Sequence, residues 1–343
     1  MPSPRISKPK VAVVYNPMKV DLARLKKMVA AASKAADWAT PLWFSTTIKD
    51  GGQGVTGSAI RRGATVVIAA GGDGTVRAVA EALRGSGVAM AVVPAGTGNL
   101  LARNLDLPTG NLRDSIDIAF NGVDRKLDLG MVEIVRNDDS HEEHAFLVMA
   151  GLGLDAKMIK NTSTKLKKAV GWLAYVDGIA RSIPELRPVR LRYSVDGAPN
   201  RSLSAHTVII GNCGALPGGL LLMPEAQPDD GILDMAALVP RGRFGWLNIW
   251  NKIAWENGVL RKSVIGRRII DLSKDVRDVR YATGHDLNMI VESPEEFQLD
   301  GDEFGLAKSV HAWVDPLSLV VRVPQVHTKA SKAHPIAAKA SSK

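Results

Sequence analysis

The sequence predicts an α/β N-terminal domain on an open, mainly parallel sheet, followed by a C-terminal antiparallel β-rich sandwich domain. Three observations predict it. The chain has 343 residues, more than one core usually supports, since cores stop growing at about 250–300 residues. From residue 11 to 127, short apolar runs alternate with stretches of helical period, the pattern of parallel strands joined by helical crossovers. After about residue 128 the period shortens to two. Val189, Leu191, Tyr193 and Val195 alternate there with Arg190, Arg192 and Ser194 before an Asp196-Gly197 turn.

Each element has its own signal. Residues 11–15 (VAVVY) form a buried-strand run closed by Asn16-Pro17. Over 21–36, Leu22, Leu25, Met28, Val29 and Ala32 recur at helical spacing. A strand at 42–45 leads through a glycine-rich turn to a helix near 58–62. A strand at 65–70, a helix at 76–83 and a strand at 89–93 follow. In the second half, short strands are expected at 131–135, 145–149, 207–210, 232–238, 279–283 and 317–323. Two helices, 165–183 and 244–257, are inserted among them. The expected organisation is a disordered basic tail (1–10), the α/β domain (11–127), the β-rich domain (128–325) and a second disordered basic tail (326–343).

Composition narrows the functional classes. Lys and Arg number 44 against 35 Asp and Glu, a formal charge of +9. Seven of these charges lie on the tails, as Arg5, Lys8, Lys10, Lys329, Lys332, Lys339 and Lys343. The intervening chain is nearly neutral, and aromatics at 5% are sparse for base-stacking platforms, so nucleic acid is not the expected partner. A single cysteine, Cys213, excludes an internal disulfide and a cysteine-based zinc site. With no secretory or spanning segment in the pattern, a cytoplasmic protein is expected.

The chemistry concentrates at two turns. Gly71-Gly72-Asp73-Gly74-Thr75 follows an apolar strand and opens a helix. Glycines there let backbone N–H groups approach an anion, and a helix N-terminus adds unpaired donors and a favourable dipole. Asp73 among them suits the ordering of a divalent metal on phosphates, or equally the capping of a helix. A second turn, Pro94-Ala95-Gly96-Thr97-Gly98-Asn99, closes the next strand. Parallel neighbouring strands bring two such turns to one sheet edge, which together argue for a nucleotide.

The strand with GGDGT, followed by PAGTGN, resembles the catalytic domain of the diacylglycerol kinase family of lipid kinases. That family joins an α/β nucleotide domain, NAD kinase-like in fold, to a β-rich domain with the active site in the cleft between. By resemblance, ATP is the co-substrate, contacted by Asn16, Thr47 (with Thr46 as the alternative), Gly71, Gly72, Asp73, Gly74, Thr75, Gly96, Thr97 and Asn99. Gly151 to Ala156 is similar to the family's acceptor-side segment, which places Asp155 near the substrate. The stretch 224–232 resembles a structural Mg²⁺ loop, implying a carboxylate from Asp230 and backbone carbonyls from Gln227 and Ile232. Gln298-Leu299-Asp300-Gly301-Asp302 resembles the family's Asp-Gly-Glu element, which makes Asp300 the catalytic base; Asp302 would place a metal or order Asp300. Phosphoryl transfer to an alcohol needs such a carboxylate within hydrogen-bond reach.

The chain departs from that pattern at Leu100, where an Asp is common, at Arg77-Ala78 in place of Asn-Glu, and at Asp302 in place of Glu. Other signals read more plainly. His141 and His144 sit in an acidic stretch expected to be a solvated turn. Gly151-x-Gly153-x-x-Ala156, with Asp177 downstream, fits a dinucleotide fingerprint only loosely. The inserted helices carry Trp172, Tyr175, Trp246, Trp250 and Trp255 beside Lys165, Lys167, Arg261 and Arg267. Burial of the apolar face explains this, and docking on an anionic membrane surface would too. The expected function is an ATP-dependent lipid kinase acting on diacylglycerol or a related long-chain lipid alcohol, with a homodimer compatible. The alternatives are an NAD kinase-like phosphotransferase, since NAD kinases share the GGDGT turn, or a catalytically weak lipid- or nucleotide-binding regulator.

Overall fold

The structure, a computed structural model, describes residues 8–153, 188–216, 220–240 and 279–325. Asp155, both inserted helices and most of the two tails lie outside the described residues. Lys8 and Lys10 are described and engaged: Lys8 Nζ meets Asp37 at 2.5 Å, and Lys10 Nζ donates to the Arg62 carbonyl at 2.8 Å.

The N-terminal half runs β1 (Val11–Tyr15), α1 (Leu22–Ala35), β2 (Leu42–Ser45), α2 (Gln53–Arg61), β3 (Val66–Gly71), α3 (Asp73–Leu83) and β4 (Ala89–Pro94). Short α4 (Leu100–Asn104) and α5 (Leu112–Asn121) follow. β1 pairs in parallel with β2 and β3, and β3 with β4. β1 and β3 are buried on both faces, so they read as continuous apolar runs rather than alternating ones. Val13, Ile68, Ala91 and Val93 face Leu25 and Val29 of α1 and Ile116 and Phe120 of α5. On the other face, Val14, Val67 and Met90 pack with Val76, Val79 and Leu83 of α3.

Asp21 caps α1 by accepting the Arg24 N–H at 3.0 Å. Helix α2 starts five residues before its expected position. The Asp50 carboxylate supports that start, accepting N–H groups from Gly52, Gly54 and Val55 at 2.9, 3.2 and 3.0 Å. Those donors would otherwise be unpaired at a helix N-terminus.

The second half is β-rich. It holds β5 (Val123–Val135), β6 (His141–Phe146), β7 (Met149–Leu152), β8 (Val189–Val195), β9 (Arg201–Ala205) and β10 (Thr207–Gly211). The small pair β11 (Ala215–Leu216) and β12 (Leu220–Leu221) follows, then β13 (Leu233–Leu238), β14 (Val279–Gly284), β15 (Asp286–Leu299) and β16 (Asp302–Val323). The expected solvated turn around His141 is shorter than supposed: β6 begins at His141, whose Nδ1 lies 3.1 Å from Glu133. Gly151 lies inside β7, paired antiparallel with β10 and β15, so the dinucleotide fingerprint is not a strand-to-helix turn.

Among the described residues, fourteen strands form one sheet in the order β14-β13-β10-β7-β15-β16-β4-β3-β1-β2, with β5, β6, β8 and β9 attached off that path. β16 links the halves. It pairs antiparallel with β5 and β15, and in parallel with β4 through Val321 and Met90. The expected division at 127/128 therefore falls inside β5, and the end of β16 joins the N-terminal sheet. Phe146, Leu152, Ile210, Met235, Met289 and Phe297 form the core of the β-rich half.

Candidate functional site

The two glycine-rich turns meet at the carboxyl ends of β3 and β4. The Ala95 N–H donates to the Gly71 carbonyl at 2.8 Å. A Cβ on Gly96 would lie 2.8 Å from the Gly72 Cα, so the backbones touch and only glycine fits. Asn99 holds the second turn shut: its Oδ1 accepts the Gly96 N–H at 3.0 Å and its Nδ2 donates to the Gly96 carbonyl at 3.0 Å. It adopts a left-handed conformation, φ 49°, and is buried. Thr97 stays exposed, while Thr75 is buried with its side chain over Gly71.

Asp73 braces the two turns. Its carboxylate accepts the N–H groups of Asn99 at 2.9 Å and Leu100 at 2.5 Å, so it caps α4 rather than its own helix. Burial raises its pKa above the ordinary value, the Leu100 and Asn99 N–H groups oppose that, and the Asp302 carboxylate adds to it. With both oxygens so engaged, Asp73 is built as a strut between phosphate-type loops. Leu100, a departure from the family pattern, supplies one of those N–H groups and buries its side chain.

Asn16 and Thr47 occupy neighbouring strand ends. The Asn16 N–H donates to the Ala70 carbonyl at 2.9 Å and its Oδ1 accepts the Met18 N–H at 2.9 Å. Thr47 is exposed, and its Oγ1 accepts the Asp50 N–H at 3.0 Å in a local turn. Thr46, the alternative, is buried, with its N–H on the Tyr15 carbonyl.

Asp300 comes from the other half and is buried, in a left-handed turn of φ 50° between β15 and β16. Its Oδ1 accepts the Val148 and Met149 N–H groups at 2.8 and 3.1 Å, and its Oδ2 accepts that of Leu147 at 2.9 Å. A carboxylate has about four acceptor positions, so Oδ2 keeps one for a further proton donor. Burial pushes the Asp300 pKa up to about 6, against the pull of those three N–H groups and of Arg77. Asp302 stands beside the first turn: a Cβ on Gly74 would fall 2.5 Å from its Oδ2. The two halves thus place the Asp300-Gly301-Asp302 turn against the loop that opens α3. Cys213 is buried nearby, its Sγ 3.5 Å from the Leu147 carbonyl and its thiol pushed up by burial, which leaves it unreactive.

The 225–232 loop is tied in by a residue that sequence reasoning missed. Asp128 is buried in β5; its Oδ2 accepts the Gly231 N–H at 2.6 Å, its Oδ1 the Leu317 N–H at 2.7 Å, and its own N–H meets the Pro228 carbonyl at 2.7 Å. A charged residue inside the apolar run Leu127-Asp128-Leu129 was the signal available. Asn212 Nδ2 donates to the Asp128 carbonyl at 3.0 Å, and the buried Asn212 Oδ1 has no partner among the described residues. Asp230 is exposed, with Oδ1 accepting the Ile232 N–H at 3.0 Å. Its pKa is raised by burial and then by the carboxylates of Asp128 and Asp229. Asp229 pairs with Arg125 at 2.7 Å, and among the described residues no group of three or more His, Cys, Asp or Glu side chains could hold a metal ion. The Asp230 carboxylate with the carbonyls of Gln227 and Ile232 would be an all-oxygen donor set, the kind a hard divalent cation takes. Gln227 is exposed and Ile232 half-buried.

One tie joins this region to the nucleotide turns. Asn104, at the end of α4, donates to the Ala215 carbonyl at 2.9 Å and accepts the Ala215 N–H at 3.1 Å. Among the described residues, no helix is long and apolar enough to cross a membrane.

Comparison with known proteins agrees with this geometry. The family described as diacylglycerol kinase catalytic domain matches residues 10–132, and the one described as YegS C-terminal NAD kinase beta sandwich-like domain matches residues 147–267. A protein of Pseudomonas aeruginosa (strain UCBPP-PA14) named "Probable lipid kinase YegS-like" is 34% identical over 250 residues, covering 71% of this chain and 76% of that one. A diacylglycerol kinase of Mycobacterium tuberculosis (strain ATCC 25618 / H37Rv) is 31% identical over 196 residues, 57% of this chain, and the match spans only 62% of that protein's length. The crystal structure of a diacylglycerol kinase from Bacillus anthracis str. Sterne shares the fold at TM-score 0.61 and 17% identity, covering 92% of this chain and 97% of that one. Matches in both halves, in the order in which the two halves build one site, mean that this chain belongs to the diacylglycerol kinase and YegS-like family of lipid kinases.

Proposed function

We propose that the protein is an ATP-dependent lipid kinase that transfers the γ-phosphate to the hydroxyl of diacylglycerol or a related long-chain lipid alcohol. One observation carries the reading: two glycine-rich turns in backbone contact, with the buried Asp300 turn of the other half lying against them. The phosphates of ATP sit on the N–H groups of 72–75 and of Thr97 and Gly98, and on the N-terminus of α3. The lipid hydroxyl attacks the γ-phosphorus in line; the new O–P bond forms as the bond to the ADP oxygen breaks. Asp300 Oδ2 accepts the hydroxyl proton. At a pKa near 6 it is a carboxylate at neutral pH and still basic enough to serve. The family resemblance assigns Asp155 to the lipid acceptor. Asp230, Gln227 and Ile232 would hold Mg²⁺, whose positive charge would fix the 225–232 loop. The protein acts in the cytoplasm and meets its lipid at an anionic membrane surface.

Labelled ATP offered with diacylglycerol, sphingosine and NAD as separate acceptors tests the proposal. Label is expected in diacylglycerol or another lipid alcohol. Transfer to NAD alone refutes it, and ATP binding without transfer to any acceptor identifies a regulator instead.

A further inference from the structure

Arg77 is a residue the proposed reaction leaves unused. It lies on α3, one turn beyond Asp73, and is buried to 7% exposure. Its Nη2 is 3.5 Å from Asp302 Oδ2, its guanidinium carbon is 4.5 Å from the centre of the Phe304 ring, and its buried Nε has no hydrogen-bond partner among the described residues. The His144 ring packs edge-on against the Phe304 ring, 4.8 Å centre to centre. A buried arginine is costly unless its charge is used. Here it runs from the nucleotide half to the first three residues of β16, where the ion pair and the aromatic face receive it.

The geometry points to Arg77 as a positioning residue: its guanidinium fixes Asp302, and with it the turn that carries Asp300, onto the helix that opens in the first glycine-rich loop. Lysine could not do this equally, because only the planar fork pairs with a carboxylate and stacks on Phe304 at once. Asn, common here in the family pattern, has neither the charge nor the reach. The charge also acts on Asp300, whose carboxyl it draws down against the effect of burial. The other titratable groups around this corner are Asp73 and Glu81 of α3, His144 of β6, Cys213 after β10, and Asp302 itself. Of these, Glu81 is committed to the Ala145 N–H at 3.0 Å and Asp73 to α4. Arg77 is the cation that acts on the Asp300 carboxyl, by less than the three N–H groups do.

This inference rests on Asp300 being the proton acceptor for its kinetic readout and on geometry alone for its spectroscopic one. The test uses the full chain and Arg77→Met, which keeps the bulk and removes the charge. The acid limb of the kcat–pH profile is expected to move up by roughly half a unit to one unit, with KM for ATP changed by less than about threefold. Arg77→Lys, which restores the charge but not the planar fork, is expected to bring the limb only part of the way back. An unmoved limb, or a loss of kcat equal at every pH, overturns the inference. The ¹³C shift of the Asp300 carboxyl, titrated in both proteins, reads the same coupling without turnover. If the wild type phosphorylates no lipid but this titration still moves, the kinase reading fails and the role of Arg77 stands. If it does not move, the role of Arg77 fails whichever acceptor is found. Should Arg77→Met not fold, Phe304→Leu removes only the stacking face; it is expected to shift the Asp300 titration upward by a smaller amount, and no shift overturns the inference.

Discussion

Asp300→Asn separates the two jobs that burial gives this carboxyl. In the folded chain its pKa is about 6 against an ordinary 3.8. An acid whose pKa is raised by folding contributes stability below the unfolded value and loses it as pH rises through the folded one. At about 1.4 kcal/mol per unit, keeping Asp300 ionised at pH 7.5 costs the fold roughly 2 kcal/mol more than at pH 4. Asparagine removes this pH-dependent part. Its Oδ1 can keep the Val148 and Met149 N–H groups, but its amide then faces the Leu147 N–H, donor against donor, at a cost of about 1–3 kcal/mol. The variant should therefore be clearly less stable than wild type at pH 4 and nearly equal to it at pH 7.5. Urea unfolding followed by circular dichroism at both pH values measures the difference. If the gap between the two proteins is the same at pH 4 and pH 7.5, Asp300 does not titrate between 4 and 6 and the reasoning fails. The same variant should bind ATP and show no turnover; near-normal activity would remove Asp300 as the base.

Further expectations follow from the same site. Wild-type kcat should fall below about pH 6 as Asp300 protonates; a flat profile down to pH 5 would count against it. Gly96→Ala sets a Cβ 2.8 Å from the Gly72 Cα, so the loops must part, and ATP affinity by calorimetry should drop at least about tenfold, more than 1.4 kcal/mol. Asp73→Ala frees the Asn99 and Leu100 N–H groups and should cost about 2 kcal/mol with weakened ATP binding; unchanged affinity would show that the brace is idle. Wild type should gain thermal stability on adding Mg²⁺, and Asp230→Ala should abolish that gain. An equal Mg²⁺ shift in both proteins would move the cation site elsewhere.

The nucleotide half was legible because local signals decided it. β1, β3 and β4 are apolar runs, their helices carry apolar residues at helical spacing, and glycines mark the two turns of phosphate-binding type. The β-rich half was harder. β16 contains Asp302, Lys308, Asp315 and Pro316, and its register with β5 shifts between Asp315 and Leu319, so a period of two is lost. β15 is likewise interrupted near Pro294, where its pairing with β16 shifts between Ile290 and Glu295. The unforeseen site residues share one property. Asp128, Asn212 and Arg77 gain their meaning from partners 84 to 225 positions away. A pattern read along the chain records which side chains are polar, not which distant backbone groups they satisfy. Asp73 shows the limit in miniature: its type and place were evident, but the helix it caps begins 27 positions on from it, at Leu100.

β16 also bears on how the chain assembles. Its residues 319–323 lie beside β4 and β5, so the edge of β4 stays open until they arrive. During synthesis the first hundred residues can form their helices and pair β2, β1, β3 and β4, yet the outer edge of β4 must wait for a segment made more than two hundred residues later. Closing such a long loop is slow. In that interval β4 offers unpaired backbone to any other strand, an edge that the folded chain no longer exposes.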